Sequence, residues 1–418
     1  MMRSRTAHGQ KAGQNCSLSI DLPEKRSDSV CYNFLEIHFT WKAFPNLFAH
    51  MKEIQITKYD YIDALRGFAI LAVVFYHSKQ WVIPTSALLS DIAEQGARGV
   101  QFFYIASALT LFLSLGTRKK VEEKPILSFF IRRFFRIAPL FYVAMGVYLI
   151  YDGLGPRFFA PNGIQWWFIP LTAVFMNGWL PETINSVVPG GWSIAVEMIF
   201  YLTVPFLFSR LKDIRSTLWF LFFSLIAAKI SAVLIVNFYS PYFAEDQQYL
   251  VSYFSNFWFF AQIPIFTLGI LLYHIVSYFP APNKDIATPL ILLSAFLFTA
   301  FIKVEVFANL LSQQFLFGAA FFLFALSLHF HPHKLLVNKL TTWIGKLSFS
   351  IYLVHFLVLK VVGGFVADRY TLQGNSGFFV AFLLVTSVSV AVSFITYKMI
   401  ELPGIELGKK IIKNISSR

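Results

Sequence analysis

Long apolar runs separated by short basic or polar stretches set the pattern of this chain. A helix needs roughly 20 apolar residues to cross about 30 Å of hydrocarbon. Runs of that kind fall at about 62–82, 99–116, 134–151, 191–209, 217–238, 254–277, 287–303, 311–330, 346–366 and 377–398. They predict an all-α polytopic membrane protein with about ten transmembrane helices. A weaker run, Trp166 to Leu180, is interrupted by Pro170, Asn177 and Gly178.

Charge placement decides how that weaker run is read, because Lys and Arg concentrate in cytoplasmic loops. The 117–136 loop holds Arg118, Lys119, Lys120, Arg132, Arg133 and Arg136, whereas 152–190 holds only Arg157. If 166–180 crossed, the loop with Arg210, Lys212 and Arg215 would lie outside, against the rule. A re-entrant or interfacial segment restores agreement. It places His333, Lys334 and Lys339, and the tail with Lys409, Lys410, Lys413 and Arg418, on the cytoplasmic side. Both termini are therefore expected in the cytoplasm. No internal repeat of the kind found in many transporters is present.

Composition supports this reading. Of 418 residues, 56% are hydrophobic and 14% charged, against roughly 25% charged in a soluble domain, too few to build a wet shell. The net charge of +13 is then a topogenic bias, not a nucleic-acid footprint. Cys16 and Cys31 both precede the first apolar run, so the membrane body has no thiol chemistry and no Cys/His zinc set. Residues 1–50 form a polar leader without an apolar signal core, and Asp21, Glu24, Asp28 and Glu36 interrupt any transit-peptide pattern. Met51, with Lys52 and Lys58 before the first run, reads as the true start. The expected organisation is leader 1–50, membrane domain 51–402 and basic cytoplasmic tail 403–418.

Ionisable groups at membrane depth cost about 2.5–3.5 kcal/mol each and need a reason. The first helix carries Asp63, Arg66 and His77. Arg66 and His77 lie eleven residues apart, on nearly one face and about 16 Å apart along the axis, which suits one elongated ligand. The run beginning Gly190-Gly191-Trp192-Ser193 carries Glu197 at a depth similar to His77. A carboxylate bonded to one imidazole nitrogen raises the basicity of the other, and such a base could deprotonate a sugar hydroxyl. Structural packing of His77 and Glu197 is the alternative. His355, mid-helix, reads as a buried histidine bonded to a neighbour. Lys303 and Glu305 read as solvated at a helix end. His329, His331 and His333 read as loop residues at a basic face, so no metal is expected. The cluster Arg132-Arg133-Phe134-Phe135-Arg136 fits either topogenic charge with anionic lipid or a phosphate clamp.

The stretch Tyr61-Ile62-Asp63-Ala64-Leu65-Arg66-Gly67-Phe68-Ala69-Ile70, with His77, resembles the opening of the acyltransferase 3 family of membrane acyltransferases. In the family's order follow Gly99-Val100-Gln101-Phe102-Phe103-Tyr104-Ile105-Ala106-Ser107, Arg133-Phe134-Phe135-Arg136, Trp192-Ser193-Ile194-Ala195-Val196-Glu197 and Ser350-Ile351-Tyr352-Leu353-Val354-His355. The resemblance covers roughly 58–402. Ala108, Gln101 and Met198 depart from the Gly, acid and second Glu common in those motifs.

The resemblance implies a multi-pass enzyme of the bacterial inner membrane. It would move an acyl group, usually acetyl from acetyl-CoA as donor substrate, onto a hydroxyl of an extracytoplasmic glycan or glycolipid, with no bound cofactor. It makes His77 the catalytic base supported by Glu197. Arg66, Arg133 and Arg136 would handle the charged donor, with Trp192, Ser193 and His355 also in the substrate site. The sequence ends soon after the last apolar run, so no appended esterase-like domain is expected. A transporter or flippase for a lipid-linked glycan is the rival reading, and a structural subunit of a glycan-export complex a third.

Overall fold

The computed structural model describes residues 59–279, 282–303, 311–367 and 371–416. Cys16, Cys31, Met51, the rest of the leader, Glu305 and the side chain of Lys303 lie outside the described residues. Helices α1 (Asp60–Trp81), α2 (Ala87–Gln95), α3 (Gly99–Arg118) and α4 (Pro125–Asp152) come first. A short α5 (Phe168–Ala173) precedes α6 (Gly191–Arg210), α7 (Ile214–Tyr239), α8 (Gln248–Phe257) and α9 (Phe259–Tyr278). The chain closes with α10 (Lys284–Lys303), α11 (Gln313–Phe330), α12 (Lys339–Ala367), α13 (Gly374–Thr396), a π turn (Tyr397–Glu401) and α14 (Leu402–Ser416).

Among the described residues, 9 helices are long and apolar enough to cross a membrane, and α1 is not one of them. Asp63, Arg66 and His77 make α1 less apolar than the rest, yet it occupies the interior, packed against α12, α3 and α13. Glycines permit that approach. A Cβ on Gly345 of α12 would collide with the Asp63 carbonyl, one on Gly67 with the Thr341 carbonyl, and one on Gly99 with the Ala69 carbonyl. Close backbone approach of this kind is how helices associate where lipid offers no hydrophobic contrast.

One expected run divides. The single run at 254–277 is two helices, broken at an extended Trp258 (ψ 165°). The break is held by Trp258 Nε1 donating to Ser231 Oγ at 3.3 Å and Gln262 Nε2 donating to the Asn256 carbonyl at 2.6 Å. The segment 166–180 forms only the six-residue α5 and a single 3₁₀ turn, too short to span a membrane, as the charge argument requires. The expected tail is largely helical. Gly404 and Gly408 let α14 lie directly on Phe135 and Pro139 of α4, and Lys124 donates to the Ile415 carbonyl.

Candidate active site

A cavity of about 80 Å³, room for several waters, opens among α1, α3, α4, α6 and α12. Arg66, Arg133, Arg136 and Glu197 line it, with Tyr104, Ser107, Ser193, Tyr201 and Tyr352. The sequence pattern thus brings together residues from five helices. Three guanidiniums face one carboxylate in this wall, an excess of positive charge that suits an anionic ligand.

Each arginine is fixed differently. Arg66 donates to Thr110 Oγ1 at 3.0 Å and lies 3.4 Å from Asp63 Oδ1. Arg133 lies against the faces of Phe129 and Tyr201, at 5.9 and 5.8 Å, and its buried Nε has no partner. Arg136 is attracted by the carboxylates of Glu401, Glu197 and Asp63. Arg132, directly before Arg133, turns outward and grips Glu122 at 2.8 and 3.0 Å. Pairing with Glu122, not the helical period, takes Arg132 out of the cluster. Arg133 and Arg136, three apart, share the inner face, and Arg132 braces the loop.

Glu197 accepts from Ser107 Oγ at 2.5 Å and interacts with the Tyr201 hydroxyl one turn on. It does not orient His77. Depth along two helices fixed a level but not an azimuth, and α6 turns Glu197 toward the arginines. The orienting group for His77 is Gln80, whose Oε1 lies 3.1 Å from Nδ1. An amide oxygen only accepts, so Nδ1 carries the proton and Nε2 keeps its lone pair. That is the tautomer a base requires.

The late Tyr-Leu-x-His segment connects the two regions. Tyr352 donates to the Gly190 carbonyl at 3.0 Å and accepts from Ser193 Oγ at 2.8 Å. One turn on, His355 places Nδ1 2.7 Å from the Tyr352 carbonyl and 3.1 Å from that of Ile351. Its buried Nε2 has no hydrogen-bond partner among the described residues, and its ring centre lies 5.2 Å from that of His77. Phe356 packs on both imidazoles, at 4.3 and 4.2 Å. His355 and His77 stand beside the arginine cavity, not in its wall. Trp192 also lies outside the wall, stacked on Phe257 at 4.1 Å. His329 Nε2 donates to the Phe279 carbonyl at 2.9 Å, apart from this site.

Glu401 was missed by sequence reasoning. It is 1% exposed, accepts from Ser350 Oγ at 2.8 Å, and is attracted to Arg136 and Arg66. Its signal in the sequence is an isolated acid directly after an apolar run. Only the π turn at 397–401 aims it into the bundle, a distortion common at functional sites.

The architecture is that of a polytopic membrane protein around a buried cationic cavity. Residues 59–398 match the family model described as an acyltransferase domain, and the chain belongs to that acyltransferase 3 family. It is 25% identical over 394 residues to the O-acetyltransferase OatA of Staphylococcus aureus (strain NCTC 8325 / PS 47), covering 84% of this chain and 57% of that protein. It is 27% identical over 326 residues to the peptidoglycan O-acetyltransferase OatA of Listeria monocytogenes serovar 1/2a (strain ATCC BAA-679 / EGD-e), covering 72% and 49%. The chain thus spans about half the length of those relatives. No solved structure matches it significantly.

Proposed function

We propose that the chain transfers an acetyl group from cytoplasmic acyl-CoA to a hydroxyl of an extracytoplasmic glycan or glycolipid. The observation that carries this reading is the cavity wall of three arginines and one carboxylate beside a histidine held in its basic tautomer. The donor's phosphates meet Arg66, Arg133 and Arg136, and its thioester reaches the level of His77. His77 Nε2 takes the acceptor proton as the hydroxyl oxygen attacks the thioester carbon. The C–S bond then breaks, and the imidazolium returns the proton to the departing thiolate. The relatives named O-acetyltransferases support the acetyl group and the oxygen acceptor.

The test is base-labile acetate in the envelope glycans of wild type, a deletion strain, and the deletion complemented with His77→Ala. Ester is expected to disappear in the deletion and not to return with the variant. A folded, abundant His77→Ala protein with full activity overturns the role of His77. Unchanged ester in all three strains overturns the glycan reading.

A further inference from the structure

A second cavity, about 480 Å³, lies at the other end of the bundle from the 117–124 loop. One wall is the segment 160–168 with Leu180–Glu182, and the other is the end of α7 with the turn leading to α8. Tyr249 ties the walls together by donating to the Phe158 carbonyl at 2.5 Å. Gln248 braces the turn by donating to the Ser240 and Phe243 carbonyls at 2.9 and 2.7 Å.

The lining has a distinctive chemistry. Trp167, Tyr239 and Tyr242 offer flat apolar faces, Gln165 and Gln247 offer amides, and Glu182 offers a carboxylate. Among the described residues Glu182 has no ion-pair partner, and burial pushes its carboxyl above the ordinary range. Among the described residues no Lys or Arg lines the cavity. Aromatic residues that merely belt a membrane interface face lipid. These instead border a concave space together with amides and an acid, Trp167 and Tyr239 half-buried and Tyr242 exposed.

We infer that this cleft binds the non-reacting units of a glycan chain, and that it selects uncharged or amine-bearing sugars over acidic ones. Flat aromatic faces stack on the C–H face of a pyranose ring, while amides and a carboxylate accept its hydroxyl and N–H protons. An unneutralised carboxylate repels a uronate or phosphate at the same place. Helix α8 runs from the cleft toward the arginine cavity. Leu250 of its lining opens α8, and Phe257 at the far end of that helix stacks on Trp192, directly before Ser193 of the cavity wall. Those two residues are about 10 Å apart along α8, a span a short oligosaccharide covers. The inference deepens the proposed function by naming the acceptor's class, and it rests on that reading for its biological meaning but not for its chemistry.

The experiment titrates the purified full chain in nanodiscs with two probes: a neutral N-acetylhexosamine tetramer and a uronic acid tetramer. Calorimetry should show saturable binding of the neutral tetramer and at least about tenfold weaker binding of the acidic one. Tyr242→Ala and Gln247→Ala should each weaken the neutral tetramer about tenfold or more. Glu182→Gln should remove the discrimination against uronate. Absence of saturable binding, equal affinity for both probes, or wild-type behaviour of all three variants overturns the cleft. His77→Ala should bind the neutral tetramer like wild type. If that variant keeps its activity, the proposed chemistry fails while the cleft stands.

Discussion

At the residue scale, the site depends on which proton each polar group holds. Gln80 keeps Nδ1 of His77 protonated at 3.1 Å. Replacing Gln80 with Leu removes that restraint without touching the arginines. Acetyl transfer is expected to fall by about tenfold or more through kcat, with KM for the donor unchanged; the check is steady-state kinetics on both substrates. His77→Ala should cost about 10²–10⁴-fold, the usual worth of a positioned base. Glu401 makes a different prediction. Glu401→Gln keeps a partner for Ser350 but removes the negative charge that attracts Arg136. Weaker docking of the donor is expected, read as a rise in KM for acyl-CoA exceeding any fall in kcat. A kcat effect alone would remove Glu401 from the donor site.

At the element scale, backbone approach sets what side chains can do. Gly190 caps α6 in the left-handed region at φ +79°, and a Cβ there would meet the Tyr352 hydroxyl at 2.9 Å. Gly190→Ala should displace Tyr352 from Ser193 and lower stability by about 1–3 kcal/mol, through backbone strain and overpacking. Thermal unfolding in detergent checks the loss, and Gly364→Ala, with open space around its Cβ position, serves as the control. Gly345→Ala should be worse still, since it would force α12 off Asp63 and shift Arg66 with it. In the arginine cluster the partner of each side chain decides what periodicity leaves open. Its residues were all visible in the sequence, but the inward pair and the outward Arg132 separate only once α4 has a defined inner face.

At the scale of the whole molecule, the distribution of Lys and Arg predicts that the 117–124 loop is cytoplasmic and the loop before α8 is outside. Single cysteines at Lys120 and Glu245, with Cys16 and Cys31 changed to Ser, test this with an impermeant maleimide on intact cells. Label is expected at position 245 and not at 120. Reversed labelling would put the 117–124 loop, whose Glu122 pairs with Arg132, on the wrong side for the proposed cytoplasmic donor.

By itself, the sequence determined the all-helical membrane fold, the positions of the apolar runs and the non-spanning nature of 166–180. Helix length, hydropathy and charge bias are one-dimensional properties, and they survive folding unchanged. It also contained Arg66, Arg133, Arg136, Ser193 and Glu197 as inward candidates, because ionisable and polar groups at membrane depth need partners. Only the tertiary structure decided who those partners are. Rotation of α6 about its axis gave Glu197 to Ser107 and the arginines instead of to His77. The i,i+3 pair His77 and Gln80 is local to α1, but the break at Trp258 divided one expected helix into two, and the π turn brought in Glu401. Azimuth, helix breaks and π turns depend on packing between segments far apart in the chain, and no local pattern of residues encodes them.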